Sequence, residues 1–117
     1  MTDKELLELA AKAAGIEIRG NANKWIAQGV TELDLLVWND KGGDSVWNPL
    51  TDDGDALRLA VKLGFKVNVL TTRMEPFTRV RQHEVGTIFE EEHRDDADKA
   101  TRRAIVRAAA EIGKGMV

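Results

Sequence analysis

His83 and His93 are the two histidines of this sequence, and histidine is the residue type that most often serves as a general base near neutral pH. Neither lies in a motif with a serine, threonine or lysine that would present a nucleophile to it. We therefore interpret both as ordinary surface histidines. The chain has no cysteine, which excludes thiol catalysis, a thiolate zinc site and disulfide bonds. The sequence thus predicts a protein that is not an enzyme.

Two acidic clusters carry residue types that bind metal ions. The run 52–55, Asp-Asp-Gly-Asp, lacks the alternating oxygens and the distant glutamate of a calcium-binding loop, so helix capping is the favoured interpretation. The run 90–93, Glu-Glu-Glu-His, is interpreted as a solvated strand, in which Glu91 and His93 point one way and the other two residues the opposite way. This arrangement gives only a partial ligand set, and we expect neither a metal ion nor another cofactor.

The sequence contains three tryptophans and no tyrosine. Trp38 and Trp47 lie in two similar Val-Trp-Asn steps, and core packing is the favoured interpretation for such large aromatic side chains. The alternative is a ligand platform or a contact with a partner protein, because tryptophan is enriched at both. Trp25, next to Lys24 among polar residues, is expected to be the most exposed and is the first candidate for an interface residue.

Arginines supply the other candidate binding groups. Arg79 and Arg81 alternate along a predicted strand and are candidates to bind the phosphates of a nucleotide-like ligand, with a tryptophan stacked on its base. Arg102, Arg103 and Arg107 are expected along one outer side of the last helix. A solubilising helix surface is the favoured interpretation there, with an anion or an acidic partner helix as the alternative.

Length and charge restrict the class of protein. A chain of 117 residues is expected to form a single domain, 1–117. Its net charge of −3 makes nucleic acid an unlikely partner, and between residues 20 and 55 two lysines face seven acidic residues, which should repel phosphate. No apolar run approaches the roughly 18 residues that span a bilayer, and the acidic amino terminus does not resemble a signal peptide. We expect a cytoplasmic protein without a membrane partner.

The first helix is predicted from a Thr-x-x-Glu capping box that begins at Thr2, and it should end before Gly15. The expected inward residues are Leu6, Leu9, Ala10 and Ala13. Ile16-Glu17-Ile18 alternates like a short strand. Residues 20–48 are predicted to be an irregular excursion with one or two short strands, among them the apolar run 35–38.

A second helix is predicted over 53–63, with Asp52 and Asp53 as caps and Gly64 just after its end. Leu57, Ala60 and Val61 are expected to face inward. A strand should follow from residue 65 to 69, and Pro76 is expected in the loop after it.

The next strand is predicted to begin at Thr78 and to turn back at Val85-Gly86. This turn would place Arg81 opposite Glu90 and Arg79 opposite Glu92. A third helix is predicted over residues 97–112, between an Asp-Asp start and Gly113. The predicted fold class is therefore α+β, a layered α/β sandwich with a small antiparallel sheet of about three to four strands covered by about three helices.

Two segments of the sequence resemble a known family. Residues 47–63, WNPLTDDGDALRLAVKL, and 103–113, RAIVRAAAEIG, are similar to the small phage and prophage proteins grouped as the phage ABA-sandwich domain. The resemblance implies a layered α/β sandwich and a phage or prophage origin. It brings no established activity and no catalytic residues.

From the residues and the resemblance together we expect a phage-type accessory protein that acts by non-catalytic binding to a host or phage protein. The acidic excursion with Trp25 would make this contact. The alternative is a protein that binds or sequesters a small anionic, nucleotide-like ligand. The sequence leaves open the identity of the partner and the oligomeric state, including a homo-oligomer.

Overall fold

The computed structural model of this protein describes residues 1–21, 35–39, 43–82 and 88–116, which form three helices and six strands. The fold class is α+β, as the sequence predicted. None of the helices in these ranges is both long and apolar enough to cross a membrane. The elements, in chain order, are α1 (Asp3–Ala14), β1 (Ile18–Asn21), β2 (Leu35–Asn39), β3 (Gly43–Trp47), α2 (Asp53–Leu63), β4 (Phe65–Thr71), β5 (Pro76–Gln82), β6 (Ile88–Glu92) and α3 (Ala97–Lys114).

The described strands form two antiparallel sheets of three strands each, where the sequence predicted one small sheet. Sheet 1 has the order β1-β2-β3, and sheet 2 has the order β4-β5-β6. The first strand begins at Ile18 and so does not include Ile16 and Glu17. Pro76 does not lie in a loop but is the first residue of β5, opposite Thr71, a position where the missing N–H of proline is tolerated.

Local capping interactions set the ends of the helices, as predicted for α1 and α2. The Thr2 hydroxyl accepts a hydrogen bond from the Glu5 N–H at 3.2 Å, and the Asp52 carboxylate accepts one from the Asp55 N–H at 2.8 Å. Gly15 and Gly64 follow the two helices with φ angles of 69° and 67°, a conformation that is strained for other residues.

The inward faces of α1 and α2 differ from the predicted ones. In α1, Leu6 and Ala10 are buried as predicted, whereas Leu9 and Ala13 are half-buried. Leu7 and Ala11 are fully buried instead, so the buried face is rotated slightly from the predicted stripe. In α2 the buried residues are Ala56, Leu59 and Ala60. Leu57 and Val61, which were predicted to face inward, are 64% and 73% exposed. The prediction was wrong because the apolar arc of α2 is wider than the surface that packs against it.

One hydrophobic core joins the helices and both sheets. Leu7 of α1, Val80 of β5 and Val106 of α3 are its largest fully buried aliphatic side chains. Sheet 1 contributes Leu35 and Val37 and the indole of Trp47. The third helix continues to Lys114, past its predicted end at Ile112, so that Gly113 is a buried residue inside the helix.

Candidate functional site

Of the two faces of sheet 2, the helices that the structure describes cover one. Thr78 and Val80 of the central strand point towards α3 and are fully buried. The alternate residues of the three strands point the other way, and of the nine side chains on this outer face none is buried and six are exposed. Read across β4, β5 and β6, the outer face has three rows: Leu70, Phe77 and Glu92; Asn68, Arg79 and Glu90; and Lys66, Arg81 and Ile88.

Arg79 lies at the centre of the outer face and is held from two sides. Its Nε donates to the Glu90 carboxylate at 3.3 Å, and its guanidinium carbon lies 4.8 Å from the centre of the Phe77 ring. A cation over an aromatic face is an attractive arrangement. The Arg79 side chain is nevertheless 41% exposed, so part of the guanidinium group faces solvent.

Arg81 lies two residues further along β5, directly opposite Lys66 of β4. Both side chains are exposed, and within the described ranges no carboxylate forms an ion pair with either of them. Like charges at facing positions of neighbouring strands are destabilising. The row formed by Lys66 and Arg81 is therefore a small cationic site that a bound anion would stabilise.

The strand register differs from the predicted one by two residues. Arg79 faces Glu90, and Arg81 faces Ile88, whereas the sequence predicted Glu92 and Glu90 as the respective partners. A shift of two residues keeps every side chain on its predicted face because the side-chain period of a strand is two. The predicted turn at Val85-Gly86 lies outside the described residues, as does His83.

His93 is buried, and its interpretation as a surface histidine was wrong. His93 is 7% exposed and is the residue directly after β6. Its backbone N–H donates a hydrogen bond to the Pro76 carbonyl at 2.8 Å. Its Nε2 lies 2.7 Å from the Thr78 hydroxyl, which in turn lies 2.8 Å from the Thr101 hydroxyl. This chain of hydrogen bonds joins the end of β6 to β5 and α3.

The contact between Thr78 and His93 has the distance of a nucleophile and its general base. Thr78, however, has no exposed surface, so no substrate can reach its hydroxyl in this conformation. The hydrogen bonds satisfy polar groups that would be costly to bury unpaired. We therefore assign the network to the stability of the fold. No local pattern in the sequence indicates this network, because Thr78 lies in β5, His93 follows β6 and Thr101 lies in α3.

The three arginines of α3 are used within the chain. Arg102 donates to the Leu50 carbonyl at 2.9 Å and to the Asp53 carboxylate at 2.6 Å. The Glu91 carboxylate forms ion pairs with Arg103 at 3.1 Å and with Arg107 at 3.4 Å. The side of α3 that was predicted to be a solubilising surface thus mostly contacts the start of α2, the loop before it and β6.

A cleft of about 560 Å³ lies next to this network, between the end of β6 and the start of α3. It is lined by carboxylates as well as by Arg94, Lys99 and Arg103. In residues 1–21, 35–39, 43–82 and 88–116 no group of three or more His, Cys, Asp or Glu side chains has the arrangement to hold a metal ion. The cleft therefore offers charged groups of both signs and no identifiable catalytic set.

The three tryptophans cannot be treated as one site. Trp47 is 6% exposed and belongs to the hydrophobic core, which favours packing as its role. Trp38 lies in β2, but its side chain is outside the part that the structure describes, and Trp25 lies outside it entirely. Binding through Trp25 or Trp38 stays a prediction.

The junction between Trp47 and α2 is held by hydrogen bonds around Asn48. This residue is 3% exposed, and its N–H donates to the Asp55 carboxylate at 2.9 Å while its side-chain oxygen accepts from the Leu50 N–H at 3.0 Å. Asp52 is the cap of α2, as predicted. Asp53 was predicted as a second cap, but it is the first residue of the helix and pairs with Arg102. The junction is therefore structural.

Comparison of the chain with protein-family models, with curated proteins and with solved structures found no match. The likeness to the phage ABA-sandwich domain thus rests on the two sequence segments alone.

Proposed function

We propose that this protein is a phage- or prophage-type accessory protein that binds a host or phage protein in the host cytoplasm and catalyses no reaction. The sequence likeness supports the phage origin. The observation that carries the binding proposal is the outer face of sheet 2, which none of the three described helices covers. The burial of Thr78 supports a non-catalytic role, because the threonine–histidine pair of catalytic distance that the described residues contain is closed to substrate.

The outer face combines the residue types that dominate protein interfaces. Phe77 and Arg79 occupy adjacent positions on its central strand, and aromatic residues and arginine are enriched among the residues that contribute most to binding. Because Phe77 and Glu90 already hold Arg79, its side chain would lose little conformational freedom when a partner binds. Leu70 and Ile88 add apolar area at two corners.

The charge of the face indicates the chemistry of the partner. Lys66 and Arg81 at one end have no described acidic partner, whereas Glu90 is paired with Arg79. A partner that places carboxylates against the Lys66–Arg81 row would relieve the repulsion within the row. We therefore propose an acidic patch as the part of the partner protein that meets this row.

An affinity purification from prophage-bearing or infected cells tests the proposal. The tagged protein is compared with the Arg81→Glu variant and with Lys4→Glu, which makes the same charge change at an exposed position of α1. We expect a stoichiometric partner that Arg81→Glu loses and Lys4→Glu keeps. A partner that Arg81→Glu retains and Trp25→Ala loses would move the contact to the acidic excursion and overturn the assignment to the sheet.

The Lys66–Arg81 row also favours a second function, the binding of a small anionic, nucleotide-like ligand. A ligand at about one hundred times its dissociation constant adds roughly 2.7 kcal/mol to the stability of the folded state, which is a shift of several degrees in the melting temperature. A melting screen with cyclic and linear nucleotides, with and without magnesium, tests this function. A shift that Arg81→Glu abolishes supports it, and a panel without any shift rules out this class of ligand.

A further inference from the structure

A second surface of the described chain is apolar and uncovered, and it lies apart from the outer face of sheet 2. Leu57 and Val61 are one helical turn apart on α2 and are 64% and 73% exposed. Val69 of the neighbouring strand β4 is 47% exposed. These three residues, with Ala60 and Val67, are called the α2–β4 face below. A groove of about 280 Å³, lined mainly by aliphatic side chains, lies between Leu57 and Val69, and Val61 lies on α2 one turn beyond Leu57.

The strand of this face is an edge strand. Among the described strands β4 has β5 as its single neighbour in sheet 2, and its seven residues include no proline and only one charged residue, Lys66. An unprotected edge presents free N–H and C=O groups to another strand. The opposite edge is different, because β6 carries three consecutive glutamates, 90–92, of which Glu90 and Glu91 are already paired with arginines of this chain and would lose solvent or those partners if a second strand were added. The charge pattern thus leaves β4 as the edge suited to self-pairing.

We propose that the α2–β4 face binds a second copy of this chain about a two-fold axis, with the two β4 strands paired antiparallel. An axis at Asn68 places Val67 of one copy opposite Val69 of the other and Lys66 opposite Leu70. No like charges then face each other. An axis at Lys66 would bring the two lysines together, which is unfavourable, whereas an axis at Asn68, the middle residue of β4, pairs all seven residues of the two strands.

The charges of α2 complement the same arrangement. A two-fold axis perpendicular to the sheet keeps the helices of both copies on one side and makes the two α2 helices antiparallel. The amino-terminal end of α2 is acidic, with Asp53 76% exposed at its side chain, and the carboxyl-terminal end carries Lys62. Each acidic end therefore faces the basic end of the other copy, while Leu57 and Val61 of the two copies meet between them.

The size of the α2–β4 face indicates how tightly the two copies should bind each other. Helix α2 and strand β4 together have 18 residues, which is fewer than the roughly 20 to 30 residues that each partner contributes to a stable interface of standard size. We therefore expect a dimer whose population rises with protein concentration. Dimerisation would join the two copies of sheet 2 into six strands and place their outer faces side by side.

Sedimentation velocity of the full chain over a concentration series tests the association. We expect Val61→Lys to raise the dimer dissociation constant at least tenfold, because it places a charge in the apolar contact. Val61 is 73% exposed, so this variant should keep the melting temperature of the parent chain. Glu92→Lys, an exposed change on the opposite edge of sheet 2, should leave the dissociation constant unchanged.

Single-cysteine variants test the register, since the chain has no cysteine of its own. Asn68→Cys should form a disulfide-linked dimer on mild oxidation, because residues facing each other across an antiparallel pair are within disulfide reach. Lys66→Cys lies on the same face of the same strand, but in this register the two cysteines are about 13 Å apart and should remain unlinked. A chain that is monomeric at every concentration, equal cross-linking of both variants, or growth into filaments would each overturn the proposal.

Discussion

Gly113 of α3 lies so close to Leu9 of α1 that a Cβ atom built on Gly113 would overlap the Leu9 carbonyl group. The carbonyl carbon would be 2.8 Å from that Cβ, which is shorter than real Cβ contacts. Glycine inside a helix costs about 1 kcal/mol relative to alanine. The close approach of α1 and α3 therefore explains why residue 113 is a glycine. The sequence had predicted instead that Gly113 marks the end of α3.

Gly113→Ala is expected to lower the free energy of unfolding by about 1–3 kcal/mol, because the overlap forces α1 and α3 apart and outweighs the gain in helix propensity. Gly115→Ala is the matched control, since the nearest atom to its Cβ position is 3.6 Å away. Thermal and urea unfolding measure both. A Gly113→Ala variant as stable as the parent would show that the helices can separate at no cost.

Asp52→Ala is expected to lower the free energy of unfolding by roughly 0.5–2 kcal/mol through loss of the bond to the Asp55 N–H. Asp52→Asn retains a capping oxygen and should restore most of this loss. If Asp52→Ala leaves the melting temperature unchanged but abolishes binding of a ligand, the carboxylate belongs to a site and not to a cap.

The observed register predicts a coupling between Arg79 and Glu90. Arg79→Glu should lower stability by a few tenths to about 1 kcal/mol, because it places two carboxylates opposite each other, and Glu90→Arg in the same chain should recover the loss. The same exchange at Arg81 and Glu90 should show no recovery, since Arg81 faces Ile88. A double-mutant cycle with the opposite pattern would favour the register predicted from the sequence.

The buried hydroxyl of Thr78 gives a fourth prediction. Thr78→Val removes the partner of the His93 Nε2 at nearly constant volume and is expected to lower the free energy of unfolding by about 1–3 kcal/mol. Thr78→Ser keeps the hydroxyl and should lose less. Chemical denaturation distinguishes the two variants, and equal losses would mean that the methyl group rather than the hydrogen bonds is what matters.

These contacts show which parts of the molecule the sequence could predict. The caps at Thr2 and Asp52 depend on residues three positions apart, so the short-range pattern was sufficient. The burial of His93 depends on residues 15 and 8 positions away on other elements, and nothing local distinguishes it from an exposed histidine. The predicted register of β5 and β6 was wrong because a strand register depends on the length of the connection between the strands as well as on the charges of facing residues.

The bounds of α2 were predicted correctly, but the burial of Leu57 and Val61 was predicted wrongly, for a different physical reason. Hydrophobic periodicity shows that Leu57 and Val61 share a side of the helix, but it does not tell whether this chain or another covers that side. The outer face of sheet 2 was partly predicted, since Arg79 and Arg81 were assigned to one face. Lys66 was missed because only the pairing of β4 with β5 brings it opposite Arg81.

Lys66→Glu is expected to have opposite effects on stability and on anion binding. It converts a facing pair of like charges into an attractive pair with Arg81, which should raise the free energy of unfolding by a few tenths to about 1 kcal/mol. The same change removes one of the two cations of the row, so an anion that binds there should lose affinity. Arg73→Glu, an exposed charge reversal in the turn between β4 and β5, is the control and should not raise stability. The free energies of unfolding of the two variants are compared directly, and their affinities for the anion are compared by melting with and without it. If Lys66→Glu is no more stable than Arg73→Glu, the two cations do not strain the sheet and the reason for placing an anion between them is lost.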